Sequence, residues 1–138
     1  MPANDAIHDA VVRALAKDGW SITDDPLTVE FGDLYLFIDL AGERALAARR
    51  GDERIAVEIK SFSGRSKVAD LQQAVGQFVV YRAVLGRVEP ERVLYLAVSS
   101  TTYEQVFQTP AGEAVSEDLE LKLIVVDLET EEVSSWIT

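Results

Sequence analysis

Two hydrophobic periodicities divide the chain. Ile7, Ala10, Val11, Ala14 and Leu15 recur at helical spacing behind Asn4, a suitable cap, and predict an amphipathic helix over Ala3 to Lys17. Asp18-Gly19 ends it, because glycine accepts the left-handed conformation common just past a helix. The pattern then turns extended. Trp20-Ser21-Ile22-Thr23 leads to a turn at Asp24-Asp25-Pro26, a short strand over Leu27 to Phe31, a turn at Gly32-Asp33, and a strand over Leu34 to Leu40 with Asp39 near its end. Ala45 to Arg50 extends again, and Arg50-Gly51-Asp52-Glu53 reads as a hairpin turn.

The stretch Ile55-Ala56-Val57-Glu58-Ile59-Lys60-Ser61-Phe62 alternates at period two. Ile55, Val57 and Ile59 face one way into a core. Ala56, Glu58 and Lys60 face the other, placing an acid and a base about 7 Å apart at a rise of about 3.3 Å per residue. After the polar loop Ser63-Gly64-Arg65-Ser66, capped by Ser66 or a neighbour, comes the longest helix, about Val68 to Leu85. Arg92 to Val98 is a nearly continuous apolar strand of the type buried on both faces. A short helix over Thr101 to Phe107, a turn or helix over Pro110 to Glu117, a strand over Leu121 to Val126 and an edge strand over Glu132 to Ile137 complete the order. The expected class is α/β or α+β, a mixed central sheet flanked by helices in one domain spanning 1–138.

Composition narrows the chemistry. There is no cysteine and a single histidine, His8, which leaves no thiolate site and no multi-histidine zinc site within one chain and suggests a cytoplasmic protein. No segment is long and apolar enough to span a membrane. The formal net charge is -11, with basic residues gathered in the middle (Arg44, Arg49, Arg50, Arg54, Lys60, Arg65, Lys67) and an acidic C-terminal third, Glu113 to Glu132. That balance argues against autonomous grip on phosphates and suits a subunit recruited by a partner.

Asp39, Glu58 and Lys60 carry the candidate chemistry. Two carboxylates on strands joined by a hairpin make a hard-oxygen site suited to Mg²⁺ or Mn²⁺, and Lys60 is placed to serve an attacking water. Glu43 is an alternative to Asp39. On spacing alone, Glu58 and Lys60 read first as an exposed cross-strand ion pair worth roughly 0.2–1 kcal/mol, because E-x-K is a common pattern. On the following helix Gln73, Gln77 and Tyr81 fall at i, i+4 and i+8, one polar stripe. Arg65 and Lys67 sit in the loop after the strand, where they can meet phosphate or form a solvated rim. His8, beside Asp9 on the first helix, reads first as a satisfied surface or interface histidine; the alternative is that His8 or Asp9 reaches the site from that helix. Trp20 and Trp136 read as core or interface aromatics.

Asp39…Glu58-Ile59-Lys60, followed by a helix with Gln77-Phe78-Val79-Val80-Tyr81, resembles the PD-(D/E)XK nuclease superfamily, although Ile38 stands where a proline is usual. Further residues resemble the XisH family over nearly the whole chain: His8-Asp9, Lys17-Asp18-Gly19-Trp20, Thr23-Asp24-Asp25-Pro26, Ile38-Asp39-Leu40, Ile55 to Phe62, Leu94 to Val98 and Ser135-Trp136-Ile137. The resemblance implies a restriction-endonuclease-like fold and a DNA-processing accessory role: fdxN-element excision control alongside a XisI-type partner. It implies Asp39 and Glu58 as metal ligands, and Lys60, Gln77 and Tyr81 as the rest of the site. It leaves open a nuclease, a non-cutting binding module, and a toxin neutralised by the partner.

Overall fold

The first helix, α1 (Pro2–Lys17), ends where Gly19 takes a φ of 91°. In the computed structural model, which describes residues 2–45 and 52–138, α1 buries Ile7, Ala10, Val11, Ala14 and Leu15, the stripe its sequence predicts. Eight strands follow: β1 (Ser21–Asp24), β2 (Leu27–Phe31), β3 (Leu34–Ile38), β4 (Leu40–Ala45), β5 (Asp52–Ile59), β6 (Arg92–Ser99), β7 (Leu123–Asp127) and β8 (Glu132–Ile137). Between them lie α2 (Lys67–Val88), α3 (Ser100–Thr102), which continues as a π-helical turn over Tyr103–Phe107, and α4 (Pro110–Asp118).

Six strands form one mixed sheet in the order β1-β4-β5-β6-β7-β8, while β2 and β3 pair only with each other. β5-β6 and β6-β7 are parallel and the remaining pairs antiparallel. The parallel steps follow from the helical crossovers, since two parallel strands cannot be joined by a tight turn. Alternation along the strands feeds two cores. Leu40, Ile55, Val57, Ala97 and Ile124 pack with α1, and Ala41, Ala56, Leu94, Leu96 and Val98 pack with α2 and the β2-β3 hairpin. Trp20 and Trp136 meet with ring centroids 5.7 Å apart, closing α1 against β8.

Two expectations need correcting. Leu34 to Leu40 is not one strand: it breaks at Asp39, where the chain leaves the two-stranded sheet for the six-stranded one. The Asp39 backbone N–H is donated to Glu58 Oε1 at 3.3 Å, and the Asp39 carboxylate accepts from Ile59 N at 2.8 Å. These bonds replace the hairpin ladder. The strand read as running to Phe62 stops at Ile59, although Lys60 N still donates to Ala97 O. The extended segment and turn expected over 46–51 lie outside the described residues; Asp52 and Glu53 belong to β5.

Candidate functional site

The geometry starts from strand register. Leu40 pairs with Val57 in the antiparallel β4-β5 ladder, so Asp39 and Glu58 stand opposite one another one step further. Glu58 lies on the Ala56 side of β5, under α2, and is 6% exposed, so it is not half of a solvated surface pair. Lys60 Nζ sits 3.7 Å from Glu58 Oε2. Burial and the adjacent Asp39 charge push the Glu58 carboxyl up to about 7, with Lys60 and the Asp39 N–H pulling the other way. Glu58 is thus poised to exchange a proton near neutral pH.

These groups open into a cavity of about 560 Å³. Its walls are Ile7 and His8 of α1, Asp39, the run from Glu58 to Gly64, and Asp70 and Gln73 of α2. The sequence-predicted trio is therefore brought together on one wall. Tyr81 lies close enough that Glu58 and Asp39 add to burial in raising its phenol, keeping it a neutral hydroxyl. Gln77 is half-buried, and its Oε1 has no hydrogen-bond partner. An orphaned buried acceptor costs about 1–3 kcal/mol. Neither Gln77 nor Tyr81 is on the cavity wall, which α2 reaches through Asp70 and Gln73 instead.

Other predicted residues fall elsewhere. Glu43 is four residues along β4 from Asp39, roughly 13 Å at about 3.3 Å per residue, and pairs with Arg54 at 3.3 Å. It does not reach the cavity. Arg65 is exposed and Lys67 donates Nζ to Phe62 O at 2.6 Å; neither lines the cavity. Lys67 thus ties down the loop. His8 is on the cavity wall with Nε2 2.9 Å from Asp25 Oδ1, whereas Asp9 is not on it.

Sequence reasoning missed how the loop after β5 is held. Phe62 takes a left-handed φ of 53° while its ring is buried edge-on against Phe107 at 5.6 Å. For a bulky residue this is strained backbone, sustained by tertiary contacts. Asp70 accepts from Gly64 N at 2.9 Å, and Ser66, the predicted cap of α2, accepts from Ala69 N at 3.1 Å. A Cβ on Gly64 would lie 2.5 Å from Asp70 Oδ1, so the loop's close approach to α2 favours glycine. An acid in a first helical turn is common for dipole reasons, so Asp70 carried no separate signal.

The donor set is two carboxylates with a lysine beside them. Among the described residues no group of three or more His, Cys, Asp or Glu could hold a metal ion. Two hard oxygen ligands with room for water fit Mg²⁺ or Mn²⁺, cations that commonly keep several waters, and do not fit a soft or closed structural site.

The chain is similar to known proteins along almost its entire length. The XisH protein family model matches residues 1–134. An XisH family protein from Nostoc punctiforme PCC 73102 is 42% identical with a TM-score of 0.89, covering 97% of this chain and 100% of that one. A fdxN element excision controlling factor protein from Anabaena variabilis is also 42% identical, with a TM-score of 0.87 and coverage of 97% and 99%. No curated protein matches. The chain belongs to the XisH family.

Proposed function

We propose that this protein is a DNA-processing factor in the controlled excision of a DNA element, built on a restriction-endonuclease-like PD-(D/E)XK fold that hydrolyses phosphodiesters with Mg²⁺ or Mn²⁺. The observation that carries the reading is the convergence of Asp39, Glu58 and Lys60 on one wall of a cavity of about 560 Å³. Asp39 and Glu58 would hold the cation. Bound there, it would supply positive charge against the phosphate and lower the pKa of water. Lys60 orients the attacking water or stabilises charge on the phosphoryl oxygens. Tyr81, near enough to Glu58 and Asp39 to feel their charge, and Gln77 would shape the site from α2, behind the wall that Asp70 and Gln73 form. Arg65, on the adjoining exposed loop, is the cation available to a neighbouring phosphate.

The printed role of the Anabaena variabilis relative supports excision control as the setting. The test is cleavage of supercoiled plasmid with Mg²⁺ or Mn²⁺ by the wild type, Asp39→Asn and Lys60→Met. Metal-dependent nicking lost in both variants is the expected result; cleavage unchanged in either sinks the site assignment.

A second reading is favoured by the net charge of -11, which opposes unaided DNA binding. In it the fold is a non-cutting module that reaches DNA through a XisI-type protein partner. Metal-independent partner binding with no cleavage, alone or in the complex, would select it. If the partner instead silences cleavage and relieves growth arrest on expression, the pair is a toxin and its neutraliser.

A further inference from the structure

The β2-β3 hairpin forms a sheet of two strands with one face in the core and one face open. Leu27, Val29, Leu36 and Ile38 point inward and are buried. The outer face pairs Thr28 with Phe37 and Glu30 with Tyr35, while Phe31 and Leu34 form the last pair before the turn, on the side of Val29 and Leu36. Phe31, Leu34, Tyr35 and Phe37 are 44%, 49%, 58% and 60% exposed. Four of the nine exposed large hydrophobics among the described residues thus fall within seven consecutive positions, and they include all three aromatics in that set. At about 200 Å² per large side chain, Tyr35 and Phe37 expose roughly 240 Å² on the outer face, and Phe31 and Leu34 add roughly 190 Å² at the hairpin tip, so outer face and tip together reach roughly 400 Å².

The charge on the hairpin itself, Glu30 and Asp33, has one sign. Between Lys17 and Arg44 the sequence holds seven acids (Asp18, Asp24, Asp25, Glu30, Asp33, Asp39, Glu43) and no lysine or arginine. Glu30 is within the patch, accepting from the Tyr35 hydroxyl at 3.2 Å, and Asp33 is in the turn. We propose that this hairpin face is a docking site for a protein partner whose apolar contact residues are framed by lysine or arginine. Charge complementarity selects that occupant. A second copy would set Glu30 and Asp33 against the same acids, and DNA or an anionic membrane would be repelled. The patch supplies about half the roughly 800 Å² per side of a standard interface, so the flanking acids and the unpaired strand edges complete the contact.

The test titrates the ¹⁵N-labelled full chain with an amphipathic leucine-lysine helical peptide, with a leucine-glutamate peptide as control. Shift changes centred on residues 28–37, for the lysine peptide alone, are expected. Affinity should fall at least tenfold in Tyr35→Ser/Phe37→Ser and, separately, in Glu30→Lys/Asp33→Lys, with thermal stability kept in both because these side chains face solvent. Shifts centred instead on the acidic segment 113–132, or wild-type affinity in either double variant, would overturn the proposal. So would sedimentation showing a dimer that Tyr35→Ser/Phe37→Ser dissolves, or binding to duplex DNA or phosphatidylglycerol vesicles that this variant loses.

Discussion

Glutamine at position 58 should make the metal-free protein more stable, in a strongly pH-dependent way. The Glu58 carboxyl rises from 4.5 to about 7 on folding because it is buried beside Asp39. A raised acid favours the folded state while protonated. That stability is fully present below the unfolded value near 4.5 and is lost as pH rises through the folded value near 7. Two-state linkage with these values gives a loss of about 1 kcal/mol at pH 5 and about 3 kcal/mol at pH 8. Glu58→Gln keeps the shape and an oxygen for the Asp39 N–H but cannot ionise, so it escapes the loss. At roughly 3–4 °C per kcal/mol for a chain of this length, its melting temperature should exceed wild type by roughly 10 °C at pH 8 and by a few degrees at pH 5. Thermal unfolding by circular dichroism at both pH values reads this out. Added Mg²⁺ should stabilise the wild type at pH 8 and leave the variant unmoved. A variant equal to or less stable than wild type at pH 8 would mean that Glu58 is well paired as a carboxylate, and the electrostatic argument fails.

Other outcomes follow from the same contacts. Lys60→Met removes the cation 3.7 Å from Glu58 Oε2, so the midpoint at which the wild-type pH dependence is lost should move above 7, as followed by the same pH series. Gly112→Ala would place a Cβ 1.9 Å from Val106 O, backbone that cannot swing aside, and should cost on the order of 3 kcal/mol or more in urea unfolding. Ser66→Ala removes the cap of α2 and should cost about 1 kcal/mol in the same assay. Gly64→Ala should displace Asp70 and loosen the loop from Ser61 to Ser66, seen as faster amide hydrogen exchange at Gly64 with little change in global stability.

The trio of Asp39, Glu58 and Lys60 was legible because it rests on local rules. Period two puts Glu58 and Lys60 on one strand face, and an antiparallel neighbour puts Asp39 opposite Glu58. The helices were legible for similar reasons, down to Ser66 as a cap. What escaped the sequence depends on partners far along the chain. Asp39 breaks its strand through bonds to Glu58 and Ile59, residues 19 and 20 positions away. Asp70 joins His8, which the sequence offered as a helix-borne candidate, in one cavity only once α1 and α2 are laid on the sheet. Glu43 shares the Ala41 face of β4, and its distance along the strand and its pairing with Arg54 on β5 keep it out of the site. Alternation along the strand read over Leu34 to Leu40 does not say which face is covered, and Tyr35 and Phe37 face solvent because β2 and β3 join no larger sheet among the described residues.

Calorimetric titration of Mn²⁺ at pH 8 into the wild type and Glu58→Gln, with plasmid cleavage in parallel, tests the central claim most directly. The carboxylate pair predicts one binding event and metal-dependent cleavage in the wild type, both abolished in the variant. No binding and no cleavage by the folded wild type, even with a XisI-type protein added, would contradict a metal-dependent nuclease and leave the fold as a scaffold for assembly.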